Sequence, residues 1–361
     1  MRKSALPLIP LSKITLLLLV FTLVACTPVA APRATHVEST PTVLVSDWYS
    51  LYFTTPVDPS ASSYRGGIDD DLAAAIDQAR LSVDGAIYDL NLWSIRDALI
   101  SAHRRGLAVR LVTESDNMDE LEVQELKQAG IEVVGDRREG LMHDKFLVID
   151  RSEVWTGSMN LTTGSAYLDN NNLIRLRSTQ LAEDYTHEFE QMFLDDHFGA
   201  LKRADTPHPA ITLNGSLVEV YFSPQDGTLE HLLGAISAAQ ESIAFMAYSF
   251  TSDDLSQAMI ERHNSGVSVS GVMDKDQYHS NAGTEYDTLV QAGIDLRLDG
   301  NPRLMHHKVI IIDRQVVILG SYNFSFNAEH NNDENTLIIH NQDIAAQYLA
   351  EFQRIYDSAQ R

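Results

Sequence analysis

Residues 141–160 read "LMHDKFLVIDRSEVWTGSMN", so an imidazole and an ammonium, His143 and Lys145, stand directly before an apolar run at 146–149. In a strand, residues two apart share a face, and the pair would be carried together to the edge of a core. Burying either group alone costs several kcal/mol, which implies a partner or a task. The arrangement returns in "LMHHKVIIIDRQVVILGSYN" from Leu304, where His306 follows His143 by 163 residues. Each copy is His-x-Lys-x4-Asp followed by Gly-Ser-x-Asn. The first holds His143, Lys145, Asp150, Gly157, Ser158 and Asn160, and the second His306, Lys308, Asp313, Gly320, Ser321 and Asn323.

These residue types suit cleavage of a phosphodiester, which requires a nucleophile, an acid for the leaving oxygen, and positive charge around the non-bridging oxygens. Two histidines can divide the first two tasks, because imidazole titrates near pH ~6.5 and serves either as a neutral base or as a protonated acid. Two lysines and two asparagines then supply N–H donors. Such a site needs no metal and no cofactor. A pseudo-two-fold axis would bring the copies together at the joint between two lobes, a common place for pockets.

The elements that must position these groups repeat as well. "QAGIEVVGD" answers "QAGIDLRLDG" at the same offset, Tyr88 pairs with Tyr248 and Gly106 with Gly266 at an offset of 160, and "YFTTP" at Tyr52 echoes "YFSP" at Tyr221. In the first half "DDDLAAAIDQAR", "SIRDALISAHRRG" and "DELEVQELKQAG" carry helical periodicity, and "LSVDGAIYDL" and "LAVRLVTE" read as strands; the second half keeps this order. "AEDYTHEFEQMFLDDHF" and "AAQYLAEFQRIYDSAQR" close the halves as helices. The alternation predicts an α/β fold of two similar lobes related by a pseudo-two-fold, each a mostly parallel mixed sheet flanked by helices. Pro, Asp and Gly collect at 202–216, giving lobes at 44–203 and 204–361.

With the doubled motif in register, the chain resembles the phospholipase D superfamily, whose members carry two such motifs in one chain or across a homodimer. The resemblance spans both halves from about Leu44 and implies the phospholipase D/nuclease-like fold. It also implies a phosphohistidine intermediate, with His143 as nucleophile and His306 as acid and base, labels that could be exchanged. Glu334 lies 28 residues beyond His306, where family members carry a carboxylate that orients the histidine; the same step beyond His143 reaches Asn171. Either Asp169 substitutes by a small shift or His143 has an amide partner, which would lower its basicity.

The remaining polar residues have quieter readings. Asp150 and Asp313 are expected to fix the turn before the next strand, while Ser158 and Ser321 either donate to the site or shape its loop. His307 should face away from His306, since neighbours on a strand point to opposite faces, so the two are not expected to share a metal. Tyr88 and Tyr248 are assigned to the core, and Asp69 to Asp71 to the start of a helix rather than to a cation site.

Composition bounds the partner. The 361 residues carry a formal charge of -23, with 50 acidic against 27 basic side chains, a balance that opposes nonspecific capture of polyanions. Arg2, Lys3 and Lys13 precede an apolar run at 14–25 that is too short to span a bilayer and suits a signal peptide. It ends in "LVAC", which resembles a lipoprotein signal and implies lipid attachment at Cys26, the single cysteine. Residues 1–26 are thus the signal and lipobox, and 27–43, rich in Pro, Ala and Thr, a tether. The expectation is an exported, membrane-anchored monomer with an intramolecular two-lobed site: a metal-independent phosphodiesterase cleaving phospholipid headgroups by hydrolysis or transfer. An endonuclease, with nucleic acid as partner, is the alternative, and a non-catalytic phosphate-binding envelope protein the second.

Overall fold

The computed structural model describes residues 47–56 and 58–359; the apolar leader, Cys26 and the tether lie outside them. The described residues fall within one compact unit, Val43–Arg361. The first lobe runs β1 (Tyr49–Phe53), α1 (Ile68–Gln78), β2 (Ser82–Ile87), α2 (Trp93–Arg104), β3 (Ala108–Thr113), α3 (Leu121–Gln128), β4 (Glu132–Gly135), β5 (Lys145–Ile149), β6 (Glu153–Gly157), α4 (Thr163–Tyr167), β7 (Asn172–Arg177) and α5 (Thr179–Phe193). The second begins with β8 (Ala210–Leu213) and β9 (Ser216–Ser223), then α6 (Thr228–Ala238), β10 (Ser242–Ala247), α7 (Asp253–Asn264) and β11 (Ser268–Met273). It continues through α8 (Lys275–Ser280), α9 (Tyr286–Gln291), β12 (Asp295–Leu298), β13 (Lys308–Ile312), β14 (Val316–Gly320), α10 (Phe326–His330), β15 (Glu334–His340) and α11 (Gln342–Ser358). Among the described residues no helix is long and apolar enough to cross a membrane.

The lobes are built on a seven-stranded sheet, β1-β7-β6-β5-β2-β3-β4, and an eight-stranded sheet, β12-β11-β10-β13-β14-β15-β9-β8. Both are mixed and helix-flanked, but they are not mostly parallel. Parallel pairing is confined to β2-β3-β4 and to β10-β11-β12, and the other neighbours pair antiparallel. The cause is local: tight turns join β5 to β6 and β13 to β14, and a parallel pair would need a long crossover there.

The all-apolar strands are explained by two-sided burial. Along β5, Phe146 and Val148 face a core shared by the lobes, while Leu147 and Ile149 face the outer core under α1 and α2. Along β13, Val309 and Ile311 join the shared core and Ile310 and Ile312 the outer one. Each such side chain removed from water is worth roughly 1.5–3 kcal/mol, so the register of β5 and β13 is firmly set. Helices α5 and α11 fill the shared layer with Tyr185, Phe189, Tyr348 and Phe352. Their caps are Ser178 and Asn341, whose side chains accept from the N–H groups of Leu181 and Ile344.

Asp150 and Asp313 tie each hairpin to the strand beside it. Asp150 accepts from the backbone N–H groups of Arg80, Leu81 and Ser82, the shortest at 2.7 Å, and Asp313 from those of Gln240, Glu241 and Ser242, at 2.7 to 2.8 Å. At the start of α1, Asp70 accepts from Gly66 N–H and Asp69 is buried against the Ser94 hydroxyl.

Candidate active site

Each histidine lies just before its strand, where the chain enters the core. Their positions are fixed by backbone bridges between lobes. His143 N–H donates to Asp333 C=O at 3.0 Å and Asp333 N–H to Leu141 C=O at 2.8 Å; His306 N–H donates to Asn170 C=O at 2.9 Å and Asn170 N–H to Leu304 C=O at 2.8 Å. A carboxylate just after β3 or β11, one strand removed in the sheet, holds each approach. Glu114 accepts from Met142 N–H at 2.9 Å and Asp274 from Met305 N–H at 2.8 Å.

These bridges set Glu334 against His143 and Asn171 against His306. The carboxylate lies 2.8 and 2.9 Å from His143 Nδ1, and Asn171 Oδ1 lies 3.0 Å from His306 Nδ1. The assignment of Glu334 to His306 from its spacing is therefore corrected: both partners are exchanged between lobes. Asp169 does not serve His143; it accepts from Leu304 N–H at 3.3 Å, beside Arg303. The motif serines each feed one of these pairs. Ser158 donates to Asn171 Oδ1 at 2.9 Å, and Ser321 hydrogen-bonds the Glu334 carboxylate. Asn171 Nδ2 donates to Ser165 C=O at 3.0 Å, so Oδ1 is the acceptor and His306 carries its proton on Nδ1.

The glycine before each serine has a steric reason. Gly157 and Gly320 have φ of 154° and 145°, and a Cβ there would lie 2.4 Å from Asn172 O and 2.1 Å from Asn335 O. No larger residue fits without moving the strand that delivers the histidine's partner.

Lys145 Nζ donates to His143 C=O at 2.8 Å and Lys308 Nζ to His306 C=O at 2.9 Å. That uses one of three protons on each ammonium and leaves the others for an anion. Tyr88 and Tyr248, assigned to the core from the sequence, stand half-buried over these groups. Each ring covers its lysine at 4.8 and 4.7 Å and meets its histidine edge-on at 4.9 and 4.6 Å. Their recurrence at one offset was the signal that could have placed them here. Asn160 and Asn323 are half-buried beside the site, and the carbonyl oxygen of each amide is buried without a hydrogen-bond partner. His307 points away from His306 into the shared layer, between Asn172 Nδ2 at 2.9 Å and Glu351 at 3.2 Å. Among the described residues no three His, Cys, Asp or Glu side chains form a metal-holding group.

Burial governs the charges. It holds both imidazoles well below their ordinary value, and the ammoniums of Lys145 and Lys308 lower them further. It pushes Lys145 down to about 8 and holds Lys308 well below its usual range. Burial also pushes Glu334 up to about 8 against the pull of Lys145, so Glu334 and His143 compete for one proton in their short contact. A phosphate bound here would offset the two ammoniums and raise the proton affinity of both rings.

A ring of buried polar groups beyond the two motifs supports this centre. Lys202, from the interlobe connection, is fully buried and pairs with Asp333 at 2.9 Å and with Glu188. Asp333 also receives Arg138, and Asn335 Nδ2 donates to Asp144 at 2.8 Å. Lys202, Arg138, Asp144 and Asp333 have no counterpart of their type in the other half, so the repeat did not mark them, whereas Glu188 matches Glu351 and Asn335 matches Asn172 at the offset of 163.

The family model described as "Cardiolipin synthase, PLD-like domain" matches residues 72–193 and again 232–356, once over each lobe. A human protein named "Mitochondrial cardiolipin hydrolase" is 38% identical over 132 residues, 37% of this chain and 52% of that protein. A protein of Rickettsia prowazekii (strain Madrid E) named "Phospholipase D" is 35% identical over 137 residues, 38% of this chain and 66% of that protein. The chain spans about half the length of the human relative it matches. The crystal structure of phosphatidylserine synthase from Haemophilus influenzae Rd KW20 has the same two-lobed fold, with a TM-score of 0.65 at 14% identity, over 82% of this chain and 86% of that one.

Proposed function

The chain belongs to the phospholipase D superfamily, in the family described as "Cardiolipin synthase, PLD-like domain", and from that membership we propose that it is a phosphodiesterase cleaving phospholipid headgroups by hydrolysis or transfer. The observation that carries the reading is the pairing of two motif histidines, one from each lobe, with partners from the opposite lobe around two partly unsatisfied lysines. The relatives named cardiolipin hydrolase and phospholipase D support a phospholipid substrate.

His143 is the nucleophile. Glu334 on Nδ1 keeps the Nε2 lone pair free and offsets the positive charge that grows on the ring as Nε2 bonds phosphorus. As that bond forms, the P–O bond to the leaving alcohol breaks, and His306, protonated on both nitrogens once the bound phosphate has raised its proton affinity, gives its Nε2 proton to the departing oxygen. In the second half His306 removes a proton from water, or from an acceptor alcohol, whose oxygen attacks phosphorus and breaks the N–P bond. Lys145, Lys308, Asn160 and Asn323 donate to the non-bridging oxygens, and Tyr88 and Tyr248 hold the ammoniums in place. His306 has no carboxylate to stabilise a phosphorylated ring, which favours this division over the reverse.

The formal charge of -23 counts against an endonuclease. The leader ending in "LVAC" supports a second part of the proposal, that the protein lies outside the cytoplasm anchored through Cys26, with palmitate labelling of wild type and Cys26→Ser as its test. Activity is tested with phosphatidylcholine, phosphatidylglycerol, cardiolipin and single-stranded DNA in the presence of a chelator. Headgroup release lost in His143→Ala and His306→Ala supports the proposal, and strand scission alone overturns it.

A further inference from the structure

We infer that the rim of the site docks on a phospholipid surface through three exposed aromatic side chains, Tyr64 and Trp93 on one lobe and Phe326 on the other; the inference rests on the phospholipid reading above. Among the described residues these are the large aromatic side chains that stand out in solvent, at 41%, 43% and 67% exposure. Tyr64 and Trp93 adjoin through Arg65, and Trp93 and Phe326 each stand at the junction behind a motif asparagine. Leu161, next to Asn160, accepts at its carbonyl from the N–H groups of Asn91 and Leu92, both at 3.0 Å, which sets Trp93 beside the loop carrying Asn160. Thr163 N–H donates to Asn91 Oδ1 at 2.8 Å and locks the same junction. On the second lobe Phe326 opens α10, three residues beyond Asn323, at the position matching Thr163. Phe324 C=O accepts from Thr251 N–H at 2.8 Å, so this junction is built like the first. Aromatic groups therefore flank the mouth from both lobes.

The repeat shows that the fold does not demand them. Residues 54–67 join β1 to α1, whereas 224–227 suffice between β9 and α6. The longer connection supplies Tyr64, packed edge-on to Tyr167 at 5.7 Å, and Arg65, whose guanidinium lies 5.5 Å from the Trp93 ring centre. Where the first lobe has Trp93, the second begins α7 with Asp253 and Asp254 after its Ser252 cap. Tryptophan and tyrosine favour the headgroup level of a bilayer, where an apolar ring and a polar edge are both satisfied. Arg65 beside Trp93, and exposed Arg303 on the second lobe near Asp169, match lipid phosphate. With an overall charge of -23, long-range attraction cannot supply the binding. Contact must come from ring insertion and should persist in high salt. It would turn the mouth toward the headgroups, so that a phosphodiester enters without leaving the surface.

Trp93 reports on this directly, because Trp48 and Trp155 are only 9% and 1% exposed. The full chain carrying His143→Ala and His306→Ala is placed on phosphatidylcholine vesicles with and without brominated chains, and Trp93→Phe in the same background gives the baseline. The expected result is a blue-shifted Trp93 signal, quenched by the bromolipid and shielded from iodide, at both low and high salt. A vesicle-bound chain whose Trp93 stays open to iodide and unquenched by bromolipid overturns the inference, as does shielding that follows protein concentration without lipid, which would assign the rim to a second copy. In the active chain, replacing Tyr64, Trp93 and Phe326 by alanine should slow vesicle hydrolysis at least tenfold and leave cleavage of soluble bis(p-nitrophenyl) phosphate unchanged. Wild-type rates on vesicles in that variant contradict docking. A wild-type chain that cleaves the soluble diester, docks by Trp93 and spares every lipid contradicts the substrate reading instead.

Discussion

Glu334 of the second lobe grips the ring of His143 in the first, Oε2 to Nδ1 at 2.8 Å, while Asn171 of the first lobe holds His306 at 3.0 Å. Neither motif is complete within its own lobe. The cross-lobe bridges at Met142–Asp333 and Asn170–Met305 enforce the exchange, and the two rings differ in surroundings because one partner is a carboxyl group and the other an amide.

Glu334→Gln should therefore impair His143 and not His306. We expect kcat to fall roughly 100-fold or more, the scale of a positioned acid–base group, with burst formation slowed. Asn171→Asp should raise the proton affinity of His306 and move the pH profile of kcat upward. Rate–pH profiles of both variants check this; an unshifted profile in Asn171→Asp would break the assignment of Asn171 to His306.

Anion binding should weaken as pH rises through about 8, because Lys145, pushed down to about 8 by burial, is charged below that value and neutral above it. The corresponding stability term has the opposite slope. The lysine binds fewer protons folded than unfolded between about 8 and its ordinary 10.5, so this group's contribution to stability rises with pH across that window. Inhibition by inorganic phosphate, measured from pH 6 to 9.5, should show the predicted loss of affinity, and a flat profile would remove Lys145 from the anion site.

Lys202→Met should destabilise the protein by about 3–5 kcal/mol, since it strands the buried carboxylates of Glu188 and Asp333. Urea unfolding at neutral pH reads this loss. It should grow as pH rises through about 8, because burial pushes Glu188 up to about 8 and the carboxyl is mostly protonated below that value.

Asp150→Ala removes the acceptor for three backbone N–H groups and should cost about 1–3 kcal/mol while leaving kcat of the folded fraction intact. Melting temperature and active-site-normalised kcat separate the two effects. A collapse in normalised kcat without loss of stability would give Asp150 a chemical role.

Much of this was legible in the chain. The doubled motif marked both histidines and lysines, and apolar runs such as 146–149 marked strands buried on two faces. The exchange of Glu334 and Asn171 was not, because it depends on how two lobes dock across bridges joining residues 191 apart, and a spacing measured along one lobe cannot register that. The strand directions were misjudged for a related reason: periodicity identifies a strand but not its neighbour, and the hairpins β5-β6 and β13-β14 impose antiparallel order. Tyr88 and Tyr248 looked like core residues because each ends an apolar strand, yet that end is where the sheet opens on the site.

The most direct test of the central claim is to trap the covalent intermediate. A phosphodiester with a p-nitrophenolate leaving group needs little acid assistance, so His306→Ala should release one burst of p-nitrophenol and retain the phosphoryl group on the peptide containing His143, with no burst in His143→Ala. A label on His306, or a full burst from His143→Ala, would contradict the account.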